Sequence, residues 1–176
     1  MADFNHTLEP GDWQDGYVNA VIEIPKGSTM KIEWDRKRAA FMVDRVEPSI
    51  FAKPVNYGFI PQTLDFDGDE LDVLVVTDKP IPTNVWLKAR IIGVLNFKDE
   101  KGIDHKIVTV PADDRHTDDS IKSLDDLGEH WKRQIEHHFE HYKDLKAGSD
   151  TEVNGWGDIE EAKVIIKESI ERYKDQ

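Results

Sequence analysis

The most chemically distinctive segment of the chain is the acidic stretch at residues 65–72, with the sequence DFDGDELD. It gathers Asp67, Asp69 and Asp72 around a glycine and runs directly into four apolar residues typical of a buried strand. The glycine permits a tight turn, although two carboxylates about 4 Å apart repel by about 4 kcal/mol at an effective dielectric near 20. A hard cation removes that cost, and Mg²⁺ binds one or two carboxylates while it keeps waters and substrate phosphates. The spacing therefore predicts either a magnesium site or an acidic surface turn.

A second acidic loop, DEKGIDHK at residues 99–106, lies between two predicted strands. Taken alone, its Asp99 and Asp104 are typical of a charged hairpin turn. Two carboxylate loops at strand ends can share several metal ions, however, so the two loops together favour metal binding by both.

Four cations accompany these carboxylates, each near an acidic residue or a tyrosine in its own segment: Lys31, Arg45, Lys106 and Lys143. This combination suits phosphoryl transfer, because metals, Arg and Lys neutralise phosphate oxygens while a carboxylate activates the attacking water. Residues 54–58 predict a loop that presents the Tyr57 hydroxyl. The chain has no GxxxxGK[ST], GxGxxG or GxSxG motif, so side chains and metals would hold any phosphate.

A competing motif, HHFEH, satisfies the H-x-x-E-H pattern of one class of zinc peptidases. Its His137 and His141 share one helical face and can bind a common zinc, with Glu140 between them. The site needs a third ligand, for which Glu161 and Glu168 are the candidates. The pattern is short, and histidines at a helix surface or a subunit contact explain it better.

The candidate functional residues are distributed over a β-rich part of the chain and the α-rich part that follows it. Apolar alternation predicts strands at residues 17–24, 30–34, 41–43, 73–76, 85–97 and 106–110. Gly93, inside the fifth of these, predicts a bulge or a sharp bend. After Pro111 the apolar period becomes 3.6 and predicts helices at residues 124–145 and 159–173, with a loop at residues 154–157 between them. Short strands followed by two helices indicate an α+β fold, most economically a small barrel with the helices on one side.

The amino-acid composition argues against several classes of function. The chain has 176 residues with 36 acidic and 23 basic side chains, a formal net charge of −13, which argues against binding to nucleic acid or to an anionic membrane. No apolar run approaches the roughly 20 residues of a membrane helix, and the N-terminal residues lack a signal-peptide pattern. The chain has no cysteine, which excludes disulfides and thiolate zinc sites. We expect one domain, residues 1–176, in a soluble cytoplasmic protein.

Seven segments carry a resemblance to the family I soluble inorganic pyrophosphatases of the short prokaryotic type. The central one is DGDELDV at residues 67–73, which fits that family's D-x-D-x-x-D-hydrophobic signature at every position. The others follow the family's order: VIEIP at 21–25, KIE at 31–33, FMVDR at 41–45, PVNYGFI at 54–60, DEKGIDHK at 99–106 and FEHYKDL at 139–145. The resemblance implies a five-stranded OB-like barrel with helices, and the hydrolysis of inorganic pyrophosphate to two phosphates.

The resemblance also implies several Mg²⁺ ions per site, with Mn²⁺ or Zn²⁺ as substitutes. The metal ligands it implies are Glu33, Asp67, Asp72, Asp99 and Asp104. Among these, Asp67, Asp72 and Asp104 would hold the tightest ion. Asp69 would be the general base for the water that the ions activate.

Six side chains would bind the substrate: Lys31, Tyr57 and Lys106 at the phosphoryl group under attack, and Arg45, Tyr142 and Lys143 at the departing phosphate. Glu23 would order a side-chain network at the edge of the cavity. Lys53 stands where many members have tyrosine, and its reach and hydrogen bonding differ from those of a phenol.

Short members of the family assemble as homohexamers, and His137 and His141 would belong to such a contact. One alternative remains from a different functional class: a non-catalytic protein that binds metal or polyphosphate on the same fold. The complete set of matched carboxylates disfavours it.

Overall fold

The computed structural model describes residues 3–116, 119–148 and 150–175. Nine strands are present in these ranges: β1 (Tyr17–Ile24), β2 (Met30–Asp35), β3 (Ala40–Val46), β4 (Asn56–Phe59), β5 (Asp72–Val75), β6 (Trp86–Asp99), β7 (Gly102–Ile103), β8 (Lys106–Pro111) and β9 (Thr151–Gly157). The α-helices in the same ranges are α1 (Phe4–Thr7), α2 (Leu124–Leu127), α3 (Glu129–His141) and α4 (Ile159–Lys174). Short 3₁₀ turns lie at Trp13–Asp15 and Ser49–Phe51. Met1 and Ala2 lie outside the described residues. They are among the N-terminal residues that we expect not to form a signal peptide.

Five strands close into a ring of hydrogen bonds. The order is β1, β4, β5, β8 and β6, and β6 returns to pair with β1. All of these pairings are antiparallel except that of β5 with β8, which is parallel. Strands β7 and β9 also pair with β6, outside the ring, while β2 and β3 form a separate hairpin. The predicted α+β fold, a five-stranded OB-like barrel with C-terminal helices, is confirmed.

The helices cover the barrel with the apolar faces that the 3.6-residue period predicts. Helix α4 packs Ala162, Ile166 and Ile170 into the core that β1, β5 and β6 share. Helix α3 contributes Ile135 and Phe139 to a second apolar cluster on β5, β6 and β8. No helix in the described ranges combines the length and the apolar character needed to cross a membrane.

Two predicted elements differ from the structure. The helix expected over residues 124–145 is divided, because Gly128 has a φ of 83° that ends α2, and α3 ends at His141. The loop expected at residues 154–157 is part of strand β9, whose polar and glycine-rich sequence is held in the sheet by pairing with β6. The bulge expected at Gly93 is present as a register shift in β6.

Strand β4 is a further difference, since residues 54–58 were expected to form a loop. Its Gly58 lies opposite Ile22 of β1, and a Cβ atom at that position would overlap the carbonyl oxygen of Val21. The strand pairing therefore requires glycine here for lack of space.

We expect Gly58→Ala to lower the free energy of unfolding by about 3 kcal/mol or more, because the clash is with backbone that cannot move independently. In Gly157→Ala the added methyl meets the carboxylate of Glu161, a side chain that can rotate away. The control should lose only about 1 kcal/mol. Urea unfolding followed by circular dichroism measures both values, and equal losses would contradict this explanation.

Candidate active site

All fourteen residues that the family resemblance assigns to the site line one cavity of about 360 Å³. They are Glu23, Lys31, Glu33, Arg45, Lys53, Tyr57, Asp67, Asp69, Asp72, Asp99, Asp104, Lys106, Tyr142 and Lys143. A larger cavity of about 700 Å³ lies beside the start of α4 and contains none of them. The fold thus gathers residues from seven separate segments at one place.

The floor of the cavity is built by the parallel pairing of β5 with β8. Asp72 and Lys106 occupy paired positions at the beginnings of these strands. Asp104 comes two residues before Lys106, on the same side of the chain. The Nζ of Lys106 therefore contacts Asp72 Oδ2 and lies 2.5 Å from Asp104 Oδ1.

Tyr57 reaches the same carboxylate from β4, and its hydroxyl donates to Asp72 Oδ2. Burial, and next the charges of Asp72 and Asp104, raise the pKa of Tyr57 well above its ordinary value. The phenol consequently stays protonated and acts as a hydrogen-bond donor to whatever lies beside it.

The charges at the cavity floor shift the pKa values of both partners. Burial raises the pKa of Asp72 to about 7, with Lys106 opposing the shift and Asp104 adding to it. Burial alone would lower the pKa of Lys106, which is only 2 % exposed, but Asp104 and Asp72 outweigh burial and raise it. Lys106 therefore stays charged, and its positive charge offsets part of the repulsion between the two aspartates.

The acidic turn forms the mouth of the cavity. Gly68 has a φ of 93°, and the backbone N–H of Asp69 donates to Asp67 Oδ1 at 3.1 Å. Burial, together with Asp67 and Glu70, raises the pKa of Asp69. A carboxylate whose pKa is raised is a stronger proton acceptor than an ordinary surface aspartate.

Other cations that line the cavity are already paired with acids. Lys143 Nζ lies 2.8 Å from Asp99 Oδ2 and 2.7 Å from Glu100 Oε2. On the β2–β3 hairpin, Lys31 contacts Glu33, and Arg45 donates to Asp44 at 2.7 Å. These pairs place positive charge around the cavity while the acids keep it in position.

Glu23 joins the hairpin to the barrel. Its Oε1 accepts a hydrogen bond from the backbone N–H of Trp34 at 2.7 Å, and the side chain is buried. Burial, and next the charge of Asp72, raise the pKa of Glu23 well above its ordinary value. This contact joins β1 to β2, and the role of Glu23 in ordering a side-chain network stays a prediction.

Six further charged residues line the cavity without having been assigned from the sequence: Asp44, Asp65, Glu70, Glu100, Lys101 and Lys146. Five of them lie inside the acidic stretches or the motifs that resemble the family. Their closeness in sequence to the assigned residues could therefore have identified them. Glu70 has another role, since it is buried and accepts from Arg36 Nε at 2.8 Å and from Asn5 Nδ2 at 2.5 Å. Those two partners are distant in sequence and carry no motif.

The donor set of the cavity fits a hard divalent cation. Its lining carboxylates outnumber its cations by eleven to seven, and the pKa values of Asp65 and Asp72 are raised chiefly by burial. A bound cation would offset the excess of negative charge and lower these raised pKa values. Ligands that are all oxygen atoms suit Mg²⁺. No three acidic or histidine side chains in the described ranges are close enough to hold an ion by themselves. Mg²⁺ needs only one or two carboxylates beside waters and phosphates.

The same finding counts against the zinc-peptidase alternative, which needs three protein ligands. The rings of His137 and His141 are 4.6 Å apart on the exposed face of α3. His141 Nδ1 pairs with Asp144 Oδ2 at 3.0 Å, and Glu161 accepts from Asn96 at 2.8 Å. In the described part of the chain, neither Glu161 nor Glu168 completes a zinc site with these histidines.

Comparison with known proteins gives one family. The profile described as "Inorganic pyrophosphatase" matches residues 20–174. The inorganic pyrophosphatase of Neisseria meningitidis serogroup B is 62 % identical over 100 % of this chain and 99 % of its own length. A crystal structure of an inorganic pyrophosphatase from Neisseria gonorrhoeae superposes with a TM-score of 0.95 at 60 % identity, covering 97 % of this chain and 99 % of that one. The enzyme structure from Thermus thermophilus gives 0.91 at 40 % identity, covering 98 % and 99 %.

Proposed function

Because the chain belongs to the inorganic pyrophosphatase family, in its bacterial-type family I form, we propose that its acidic cavity hydrolyses inorganic pyrophosphate to two phosphates with the help of Mg²⁺. The family resemblance carried by the seven sequence motifs is confirmed, and the chain is an enzyme of this family. The assignment of roles to individual side chains is our proposal.

The observation that supports these roles most strongly is the presence of all fourteen predicted residues around one cavity. Carboxylates suited to cations and cations suited to phosphate oxygens lie within that cavity, in direct contact at Lys106, Asp72 and Asp104. Hydrolysis of a phosphoanhydride needs both kinds of group.

The carboxylates that would hold Mg²⁺ are Glu33, Asp67, Asp72, Asp99 and Asp104. When bound, magnesium supplies neutralisation of phosphate oxygens and a water more acidic than bulk water. All-oxygen ligands favour hard ions, so we propose Mg²⁺ as the main activator, with Mn²⁺ or Zn²⁺ as weaker substitutes.

Asp69 would accept the proton of the attacking water. Its raised pKa, and its position beside Asp67 at the cavity mouth, suit a general base. As the oxygen of that water bonds to phosphorus, the bond from phosphorus to the bridging oxygen breaks and the second phosphate leaves.

The cations would bind the two ends of the substrate. Lys31, Tyr57 and Lys106 would donate hydrogen bonds to the phosphoryl group under attack, where Tyr57 stays a donor because its pKa is raised. A second set would hold the departing phosphate: Arg45, Tyr142 and Lys143. Charge-assisted hydrogen bonds of this kind stabilise the growing negative charge on the leaving oxygen.

The acidity of the protein gives a direct test. With a net charge of −13, the chain should bind pyrophosphate tightly only after divalent cations have neutralised the cavity. We expect phosphate release from pyrophosphate in Mg²⁺, and weak pyrophosphate binding by calorimetry in excess chelator. Tight binding in chelator would contradict the proposed role of the metal. Binding without phosphate release in Mg²⁺ would favour the non-catalytic alternative, and zinc-dependent peptide cleavage would favour the peptidase.

We also propose assembly as a homohexamer. What supports it is a set of exposed apolar side chains on the β2–β3 hairpin and the 3₁₀ turn after it: Met30, Val43, Val46 and Ile50, at 46, 51, 70 and 74 % exposure. Exposed apolar side chains on one hairpin favour contacts between chains, and for a homohexamer light scattering should give about six times the chain mass of 20.3 kDa. A mass equal to that of one chain would contradict the proposal.

A further inference from the structure

Lys53 and His138 form a pair at the wall of the cavity that the proposed mechanism leaves unused. Lys53 Nζ lies 3.3 Å from His138 Nε2, and the histidine is 7 % exposed. The backbone of Lys53 is fixed by hydrogen bonds to the turn before β2, since its N–H donates to Ser28 and its carbonyl accepts from Gly27. The amine is thus carried on fixed backbone and lines the cavity.

Three aromatic rings surround the amine. Its Nζ lies 4.9, 5.5 and 4.9 Å from the ring centres of Tyr57, Phe139 and Tyr142. The ring of His138 stacks on that of Tyr142 at 5.5 Å, which fixes its orientation. Ring faces attract a cation, but they supply no negative charge to balance it.

Lys53 differs in this respect from the other lysines of the cavity. Lys31, Lys106 and Lys143 each pair with carboxylates, and Lys101 and Lys146 lie within 4.0 Å of one. Lys53 has no carboxylate partner within 4.0 Å among the described residues. An anion that entered the cavity would therefore find an unmatched cation site at this position.

We propose that the Lys53–His138 pair is a proton-regulated binding group for pyrophosphate, in which the Lys53 amine takes a proton from solvent and donates to a phosphate oxygen, and His138 is the positioning residue. The inference rests on the proposed function. An ammonium can only donate, so the His138 Nε2 accepts one of its hydrogens and directs the others towards the cavity.

The charges around Lys53 agree with this role. Burial, followed by the charges of Lys106 and Lys31, lowers the pKa of Lys53 to about 7, and Asp72 and Glu47 act in the opposite direction. Burial, followed by the charge of Lys53, lowers the pKa of His138 to about 2, so the ring is neutral. The titratable or charged groups that face the amine are Lys31 on β2, Glu47 after β3, Tyr57 on β4, Asp72 on β5, Lys106 on β8, and His138 and Tyr142 at α3.

The sign of the pH effect follows. Well below pH 7 the amine is already charged, and its contribution to binding approaches its full value. At higher pH the proton must be taken up as pyrophosphate binds, so the contribution fades as pH rises above the pKa of the free enzyme. If the full contribution is about tenfold, Lys53 should strengthen binding about eightfold at pH 6.5 and about twofold at pH 8.

The test compares KM for pyrophosphate at saturating Mg²⁺ in wild type and in Lys53→Met, from pH 6.5 to 8.5. The ratio of the two KM values should be about eight at pH 6.5 and fall to about two at pH 8, with kcat changed less than about threefold. Ionisation of pyrophosphate is common to both proteins and cancels in the ratio. Lys167→Met on α4, an exposed lysine that lies 3.9 Å from Glu171, is the control and should give a ratio near one.

His138 is tested on the same pH profile. His138→Phe keeps the ring stacking but removes the hydrogen-bond acceptor. Its KM for pyrophosphate, relative to wild type, should therefore be raised more at pH 6.5 than at pH 8, as in Lys53→Met. His138→Gln restores an acceptor and should recover most of the wild-type profile. The control is His130→Phe, an exposed position in the first turn of the same helix, and it should leave the profile unchanged.

Proton uptake provides a measurement that does not depend on turnover. Calorimetry with a non-hydrolysable pyrophosphate analogue, in buffers of different ionisation enthalpy, should show about half a proton more uptake at pH 7.5 in wild type than in Lys53→Arg. The guanidinium stays charged in the free variant, and this substitution provides a second test if Lys53→Met fails to fold. A KM ratio independent of pH, or equal proton uptake, in a wild-type enzyme that releases phosphate would overturn the inference. Absence of phosphate release from the wild type would instead overturn the proposed function.

Discussion

We expect Asp69→Asn to lower kcat for pyrophosphate by about 10²–10⁴-fold, the usual range for the loss of a general base. The substitution keeps the size and the hydrogen-bonding oxygen of the side chain but removes its ability to accept a proton at neutral pH. Asp69 lies at the cavity mouth, and its pKa is raised by burial, Asp67 and Glu70. Metal affinity and the free energy of unfolding should therefore change little, because the implied metal ligands are other carboxylates.

Phosphate release measured over a range of pH separates this role from a structural one. In wild type the rate should fall on the acid side, as Asp69 becomes protonated, and that fall should be missing from the residual activity of Asp69→Asn. Asp113→Asn, at a 70 % exposed aspartate outside the cavity, is the matched control. Turnover by Asp69→Asn equal to wild type at every pH would remove Asp69 from the role of base.

The resemblance of the seven motifs to one family implied the five-stranded barrel and the membership of the cavity, and the 3.6-residue apolar period predicted the covering helices. The sequence did not predict how the residues meet. The contact of Lys106 with Asp72 depends on parallel pairing between β5 and β8, and no local pattern specifies that pairing. The Lys53–His138 pair joins residues 85 positions apart, and periodicity carries no information about such a contact.

The errors in secondary structure have a common cause. Strand β4 contains Gly58 and follows Pro54, two residue types that usually mark turns, yet the glycine is needed because β1 approaches so closely. Strand β9 contains Asn154 and Gly155 and is ordered by pairing with β6. In both cases contacts within the folded sheet outweigh local propensity, which is a weak determinant of strands.

Ion pairs with lysines also explain how the numerous carboxylates of the cavity can lie close together without a metal ion. Lys106 lies between Asp72 and Asp104, and Lys143 lies between Asp99 and Glu100. Each lysine supplies the positive charge that a cation or a phosphate-bound metal would also bring. The same side chains can therefore stabilise the fold without substrate, and in the proposed mechanism they bind phosphate oxygens when substrate is present.

Lys106→Met should be the most destabilising single substitution in the cavity when metal is removed. The nitrogen it deletes is buried and contacts Asp72 and Asp104. Loss of one partner from a buried charge cluster costs about 3–5 kcal/mol, because the remaining charges lie unpaired away from water. Urea unfolding in chelator measures this cost. Lys98→Met, an exposed lysine 3.6 Å from Glu152, should change stability by less than about 0.5 kcal/mol.

Two further measurements identify the cause of the loss. Mg²⁺ should restore part of the stability of Lys106→Met, since an ion that binds only the folded state stabilises it in proportion to its occupancy. The deficit should also shrink as pH falls towards about 7, because loss of Lys106 raises the pKa of Asp72 further and protonation of Asp72 then removes one of the unpaired charges. A double variant with Asp72→Asn should recover stability for the same reason. A deficit that is the same at all pH values and insensitive to Mg²⁺ would show that Lys106 contributes by packing, and that the aspartates do not depend on its charge.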